Sequence, residues 1–194
     1  ECETMNCQMR LQWGTQDGGV GRGETPDWFH GTEIPDWANA KEDIQNSLLK
    51  SMHNEPRLFF ILESTGKYIG DYFNDLWDDS VEYYFKGQSR FYPIFLGWYV
   101  ADDIYPTKTD VRAYMPSDYT PSERVEKIAL DAEQYVARTE LLRKHLGVGW
   151  KMTLAQKWFY EWDRAQAERE KRLATWLCEM PSTPQQAFAV RGSG

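Results

Sequence analysis

Asp27-Trp28-Phe29-His30-Gly31-Thr32-Glu33 and Arg57-Leu58-Phe59-Phe60-Ile61-Leu62-Glu63-Ser64-Thr65-Gly66 decide the fold. Each reads as a short apolar strand whose last residues turn polar and acidic. A helical pattern follows each one. Strands joined through helices pair in parallel by right-handed crossovers, which implies an α/β sheet. In such sheets ligands sit at the carboxyl ends of neighbouring strands. The residues expected to converge there are Glu33, Glu63, Ser64 and Thr65.

The flanking sequence fits this reading. Met5, Cys7, Met9, Leu11 and Trp13 alternate with polar residues, the period of a strand. Gly14 to Glu24 is glycine-rich and reads as a loop. A helical segment is expected from about Trp37 to His53, although Trp37, Ile44, Leu48, Leu49 and Met52 share one helix face only loosely. Asn54 and Pro56 stop it. Leu58 to Leu62 is a continuous apolar run, which predicts a strand buried on both faces. Ile69, Tyr72, Phe73, Leu76 and Trp77 have the spacing of an amphipathic helix. Tyr92 to Val100 reads as a further strand, interrupted by Gly97.

Composition changes after Asp102. Residues 103–121 read as a long proline-bearing loop. A helix follows from about Ser122 to His145, capped by Ser122, and another from about Thr153 to Trp176, capped by Thr153. Gln185 to Ala189 reads as a last short turn. The division expected is therefore a sheet-bearing core over 1–102, a loop over 103–121 and a helical part over 122–194.

Composition bounds the function. The 194 residues are 41% hydrophobic and 15% aromatic, enough apolar mass to build a core. A net charge of -8 argues against a free-standing nucleic-acid binder. Cys2, Cys7 and Cys178 form no CxxC pair, so neither a zinc site nor a disulfide framework is indicated, and a reducing compartment is expected. There is no apolar run of about 18 residues, hence no expected membrane helix. The chain opens at Glu1 rather than Met and ends in Arg191-Gly192-Ser193-Gly194, which reads as an internal slice of a larger protein.

Several residues are candidates for chemistry. Glu33, at a strand end, has the placement of a carboxylate that polarises an attacking water or reaches a magnesium ion through water; it also reads as an ordinary acidic residue at a helix start. Arg22 lies between Gly21 and Gly23, where the backbone can approach a phosphate or a neighbouring subunit closely, and a mobile guanidinium stabilises charge developing on a phosphoryl group. A solvated loop arginine is the plainer reading. Ser64 and Thr65 have hydroxyls suited to bonding a γ-phosphate or the Glu33 carboxylate, or to capping a following helix. Ser64-Thr65-Gly66-Lys67 lacks the upstream glycine and the trailing hydroxyl of GxxxxGK[ST], so it is no phosphate loop. His30, His53 and His145 lack metal-ligand spacing, no metal site is expected, and the Asp78-Asp79 and Asp102-Asp103 pairs read as surface turns.

Together these pieces resemble the large terminase subunit of tailed bacteriophages, the ATP-driven motor that packages DNA into the procapsid. Gly21-Arg22-Gly23 with Thr25-Pro26 resembles the segment before that family's Walker B strand. His30-Gly31-Thr32-Glu33-Ile34-Pro35 resembles the Walker B strand. Leu62-Glu63-Ser64-Thr65-Gly66 resembles the coupling motif, and Phe91-Tyr92-Pro93-Ile94-Phe95-Leu96-Gly97-Trp98 the strand after it. Glu179 to Phe188 resembles the stretch that closes the ATPase domain before the nuclease domain.

The resemblance implies an incomplete P-loop-NTPase-like core with a helical C-terminal part. It implies Glu33 as the catalytic carboxylate, Arg22 as an arginine finger, and Glu63, Ser64 and Thr65 as coupling residues. ATP and Mg2+ would be used by the full-length parent, the slice alone being inactive. Thr32 stands where an aspartate ligand of magnesium often sits. The implied partners are double-stranded DNA, the portal protein, the small terminase subunit and further copies in a ring, in the host cytoplasm at the procapsid portal. The competing expectations are a non-enzymatic α/β interaction module and a fragment of another P-loop ATPase or helicase.

Overall fold

A computed structural model describes residues 11, 12, 14, 20, 26–51, 59–101, 115–188 and 190–191. Arg22, nearly all of the expected Met5–Trp13 strand, Asp102 and the 103–114 part of the expected loop lie outside the described residues. The chain is α/β, mostly helical, with small parallel sheets. It divides into two compact units, Glu1–Ser64 and Thr65–Gly194.

In the first unit, β1 (Trp28–Thr32) and β2 (Phe59–Glu63) pair in parallel, with Thr32 opposite Glu63. After β1 the chain tightens into a 3-10 turn, Ile34–Asp36, with Pro35 in its first positions. A π-helix follows over Glu42–Leu48 and runs into a short α-helical turn, α1 (Leu49–Ser51). The Leu49 N–H bonds the Ile44 carbonyl, five residues back. This wider turn explains why the apolar residues fit an α-helical face only loosely. Ile34, Ile44 and Leu48 are fully buried and form the centre of this unit.

Burial of β2 on both faces is not observed. Phe59 is 58% exposed, as is Trp28 beside it in register. Paired residues of parallel strands point to the same face, so Trp28, His30, Thr32, Phe59, Ile61 and Glu63 share one side, all but Ile61 exposed. Phe29 and Phe60 point the other way and stack at 4.7 Å, with Trp37 edge-on to Phe29. An apolar run alone does not distinguish a strand buried on both faces from one buried on a single face.

The second unit opens with β3 (Tyr68–Ile69), paired in parallel with β4 (Val190–Arg191). Ile69 therefore belongs to a strand rather than to the helix expected there. The helix, α2, spans Tyr72–Tyr83 and is capped by Asp71, whose carboxylate accepts from the Asn74 N–H at 2.7 Å. Asp78 and Asp79 sit within α2 and not in a turn.

No strand forms over Tyr92–Val100. Residues 91–97 are irregular and Trp98–Val100 is a 3-10 turn. Pro93 carries no N–H for a ladder. The run serves instead to anchor the helical core. Trp98 stacks on Tyr160, its Nε1 donates to Ser182 Oγ at 2.8 Å, and its backbone N–H donates to the Pro181 carbonyl.

Ser122 caps α3 (Glu123–Arg138), as expected, but the helix stops at Thr139 and resumes as α4 (Glu140–Leu146). Thr139 is extended, and its Oγ1 bonds the Tyr135 carbonyl, a local side-chain bond that competes with helix continuation. Thr153 caps α5 (Leu154–Arg169) in a reciprocal box with Gln156. The expected run to Trp176 is broken at Lys171, and α6 (Leu173–Glu179) follows. α7 (Pro184–Ala187) is the short last turn. Val125, Ala129, Ala132 and Val136 form one buried stripe on α3, and its two alanines allow α5 close approach. No helix of the described residues is long and apolar enough to cross a membrane.

Candidate functional site

The β1–β2 register brings the two acidic strand ends side by side. Thr32 faces Glu63, so the next step along places Glu33 beside Ser64. Ser64 Oγ donates to Glu33 Oε2 at 3.1 Å. His30 Nε2 lies 3.1 Å from Glu63 Oε1. The site thus holds two carboxylates, one hydroxyl and one imidazole at the carboxyl end of a parallel pair, where α/β sheets bind their ligands.

Local structure fixes Glu33. Its backbone is left-handed, with φ 53 and ψ 46, a conformation uncommon for a residue with a side chain. The turn behind it is held by the Asp36 N–H on the Glu33 carbonyl at 3.0 Å and by Trp37 Nε1 on the Thr32 carbonyl at 3.0 Å. Ile34, with no exposed surface, anchors the turn in the core. Gly31 leaves room for this packing: a Cβ there would lie 3.0 Å from both the Ile34 and Phe29 side chains.

Glu33 and Glu63 are exposed, and Ser64 is half-buried. An exposed carboxylate has two oxygens that accept hydrogen bonds, and Ser64 Oγ is one donor to Glu33 here. The His30–Glu63 pair joins two groups 39% and 57% exposed, so it fixes geometry and contributes little to stability. Among the described residues no three His, Cys, Asp or Glu side chains converge on a metal position.

Of the residues expected to act together, Glu33, Glu63 and Ser64 meet. Thr65, exposed, opens the second unit. Arg22 lies outside the described residues. Neither Ser64 nor Thr65 caps a helix; residues 64–67 are irregular and Asp71 is the cap. His30 is the member that sequence reasoning missed. Half of its signal was present: in a strand that alternates faces, His30 shares a side with Thr32, but only the observed register sets Thr32 against Glu63.

Comparison with family models, curated proteins and solved structures finds no match to this chain.

Proposed function

We propose that this chain forms the second half of a terminase-like motor ATPase, with Glu33 as the carboxylate that orients the attacking water. One observation carries the reading. A hydroxyl from the end of β2 bonds the carboxylate at the end of β1, Ser64 Oγ to Glu33 Oε2 at 3.1 Å. In a parallel sheet built as a P-loop-like core, that is the contact through which a coupling segment senses a catalytic acid. When the γ-phosphate is present, Ser64 exchanges Glu33 for a phosphate oxygen and frees the carboxylate to hold water. After phosphate leaves, the hydroxyl returns and Glu33 is masked. His30 holds Glu63, and with it the end of β2, against β1 during this exchange. Arg22 is proposed to reach a neighbouring subunit's nucleotide, and Thr65 to pass the change into the segment that follows.

Magnesium fits this arrangement. In nucleotide sites the ion takes only one or two protein groups and fills its remaining positions with phosphates and water. Glu33, exposed at its strand end, would reach such an ion through water. When bound, the ion neutralises charge on the phosphates. The chain's own residues orient water, exclude misaligned attack and relay the state of the site.

The test is Glu33→Gln in the complete motor subunit. Turnover should fall by about 10²–10⁴-fold, the range for loss of a positioned acid–base group, while nucleotide binding persists. Turnover at the wild-type rate would overturn the assignment.

A second reading, a non-enzymatic interaction module, is favoured by the exposure of Trp28 and Phe59 together on one sheet face. On that reading Glu33→Gln is silent and the complete protein binds no nucleotide.

A further inference from the structure

The second unit carries an apolar surface that none of the site chemistry uses. Exposure alternates along 91–97. Phe95 and Gly97 face inward, while Tyr92, Ile94 and Leu96 are 41%, 41% and 59% exposed. Tyr92 extends this row to the 3-10 turn Tyr84–Lys86 that follows α2, its ring edge-on to Tyr84 at 5.1 Å and to Phe85 at 6.1 Å. Phe85 is 79% exposed, and Val81, one helical turn before it, is 52% exposed. Exposed apolar residues scattered singly need no explanation, but three aromatics linked by ring contacts, with exposed aliphatics adjoining them in sequence on either side, do.

Its border is acidic. Asp75, Asp78, Asp79 and Glu82 lie on the exposed side of α2, and Asp78 and Glu82 neighbour Val81 and Phe85 at helical spacing. Among the described residues, the cations that adjoin it in sequence are Lys86 and Arg90. Lys86 is already engaged, 3.6 Å from Glu82 and over the Tyr83 ring. A second copy of this chain, itself at -8, would bring like charge to this border.

We infer that the Val81–Phe85–Leu96 surface docks a basic amphipathic segment of another protein, apolar anchors seated on Phe85 and Leu96, cations on Asp78 and Glu82. This does not depend on the ATPase reading.

The experiment is fluorescence anisotropy on the full chain. One probe is a labelled helical peptide of leucine and lysine with a single apolar face; the other replaces each lysine by glutamate. The Leu/Lys peptide should bind, and Phe85→Ser should weaken it by about tenfold or more, as for loss of a central aromatic anchor. Leu96→Ser is the parallel variant. Both sites are solvent-exposed, and far-UV circular dichroism should match wild type. The double reversal Asp78→Lys/Glu82→Lys should transfer preference to the Leu/Glu peptide. Equal binding to every variant, or none at all, would overturn the proposal. So would a sedimenting dimer that Phe85→Ser dissociates without any effect on peptide binding; that outcome assigns the surface to self-association.

Discussion

Gly66 follows the site residues in sequence and is specified by packing. A Cβ built there would lie 2.3 Å from the Ala187 carbonyl oxygen and 2.7 Å from its carbon. Both are backbone atoms, at the end of α7, and cannot swing aside as a side-chain tip does. Gly66→Ala should therefore destabilise the protein by about 1–3 kcal/mol, the range for overpacking. The shift of the urea midpoint at unchanged slope reads it; an unchanged midpoint would show that the α7 turn yields freely. The sequence presented Gly66 as part of a motif and gave no hint of Ala187, because a contact between residues so far apart has no local pattern. Glu33 and Ser64 were legible for the opposite reason. Each stands at the end of an apolar run, and parallel pairing of two such runs brings their ends together. His30 needed the register as well, which no sequence pattern supplied.

At the scale of elements, what reads best is what has a local cause. Ser122 and Thr153 both cap the helices they precede, Thr153 with Gln156 returning the bond at 2.9 Å. The break after α5 was invisible because its usual sign is missing. The Arg172 N–H bonds the Ala167 carbonyl at 3.0 Å and the Lys171 N–H bonds Glu168 at 3.1 Å, the paired closing bonds of a Schellman motif. Its left-handed position, with φ 58, is normally glycine and here is Lys171. Lys171→Gly should remove the Cβ strain and stabilise the protein by about 0.5–1 kcal/mol after the entropy cost of glycine. Thermal unfolding of the exposed-site variant measures it. A lower melting temperature would mean that the lysine side chain contributes more than its backbone strain costs. The Tyr92–Val100 run failed as a strand for a different reason. Its apolar residues read as a ladder strand, but the partners that fix Trp98 are Tyr160 and Ser182, far along the chain.

The two units differ in what holds each together, and that difference sets how the whole molecule opens. The second has a core of large interlocked side chains: Trp176 is 1% exposed and donates to Asp163 Oδ2 at 2.7 Å, and Tyr160 and Leu142 are fully buried. In the first, the described core is small, and its two paired strands leave Trp28 and Phe59 largely in water. Parallel pairing is slightly weaker per residue than antiparallel, and an isolated two-stranded sheet is marginal in water. Local opening free energies follow buried contact, so amide exchange should separate the units. Amides in the middle of α3 and α5 should exchange only on global unfolding. Those of β1 and β2 should exchange at least about 10²-fold faster, equivalent to an opening roughly 3 kcal/mol easier. Mass-resolved hydrogen exchange on the intact chain measures both at once. A single protection class across β1, β2, α3 and α5 would mean that the strands share the helical core's cooperativity. The predicted separation has a consequence for the candidate site. Glu33, Ser64, His30 and Glu63 sit on the less protected unit, and elements that move during function come from the low-stability end of a structure. A nucleotide bound there should raise the protection of β1 and β2 selectively, by mass action on the closed form.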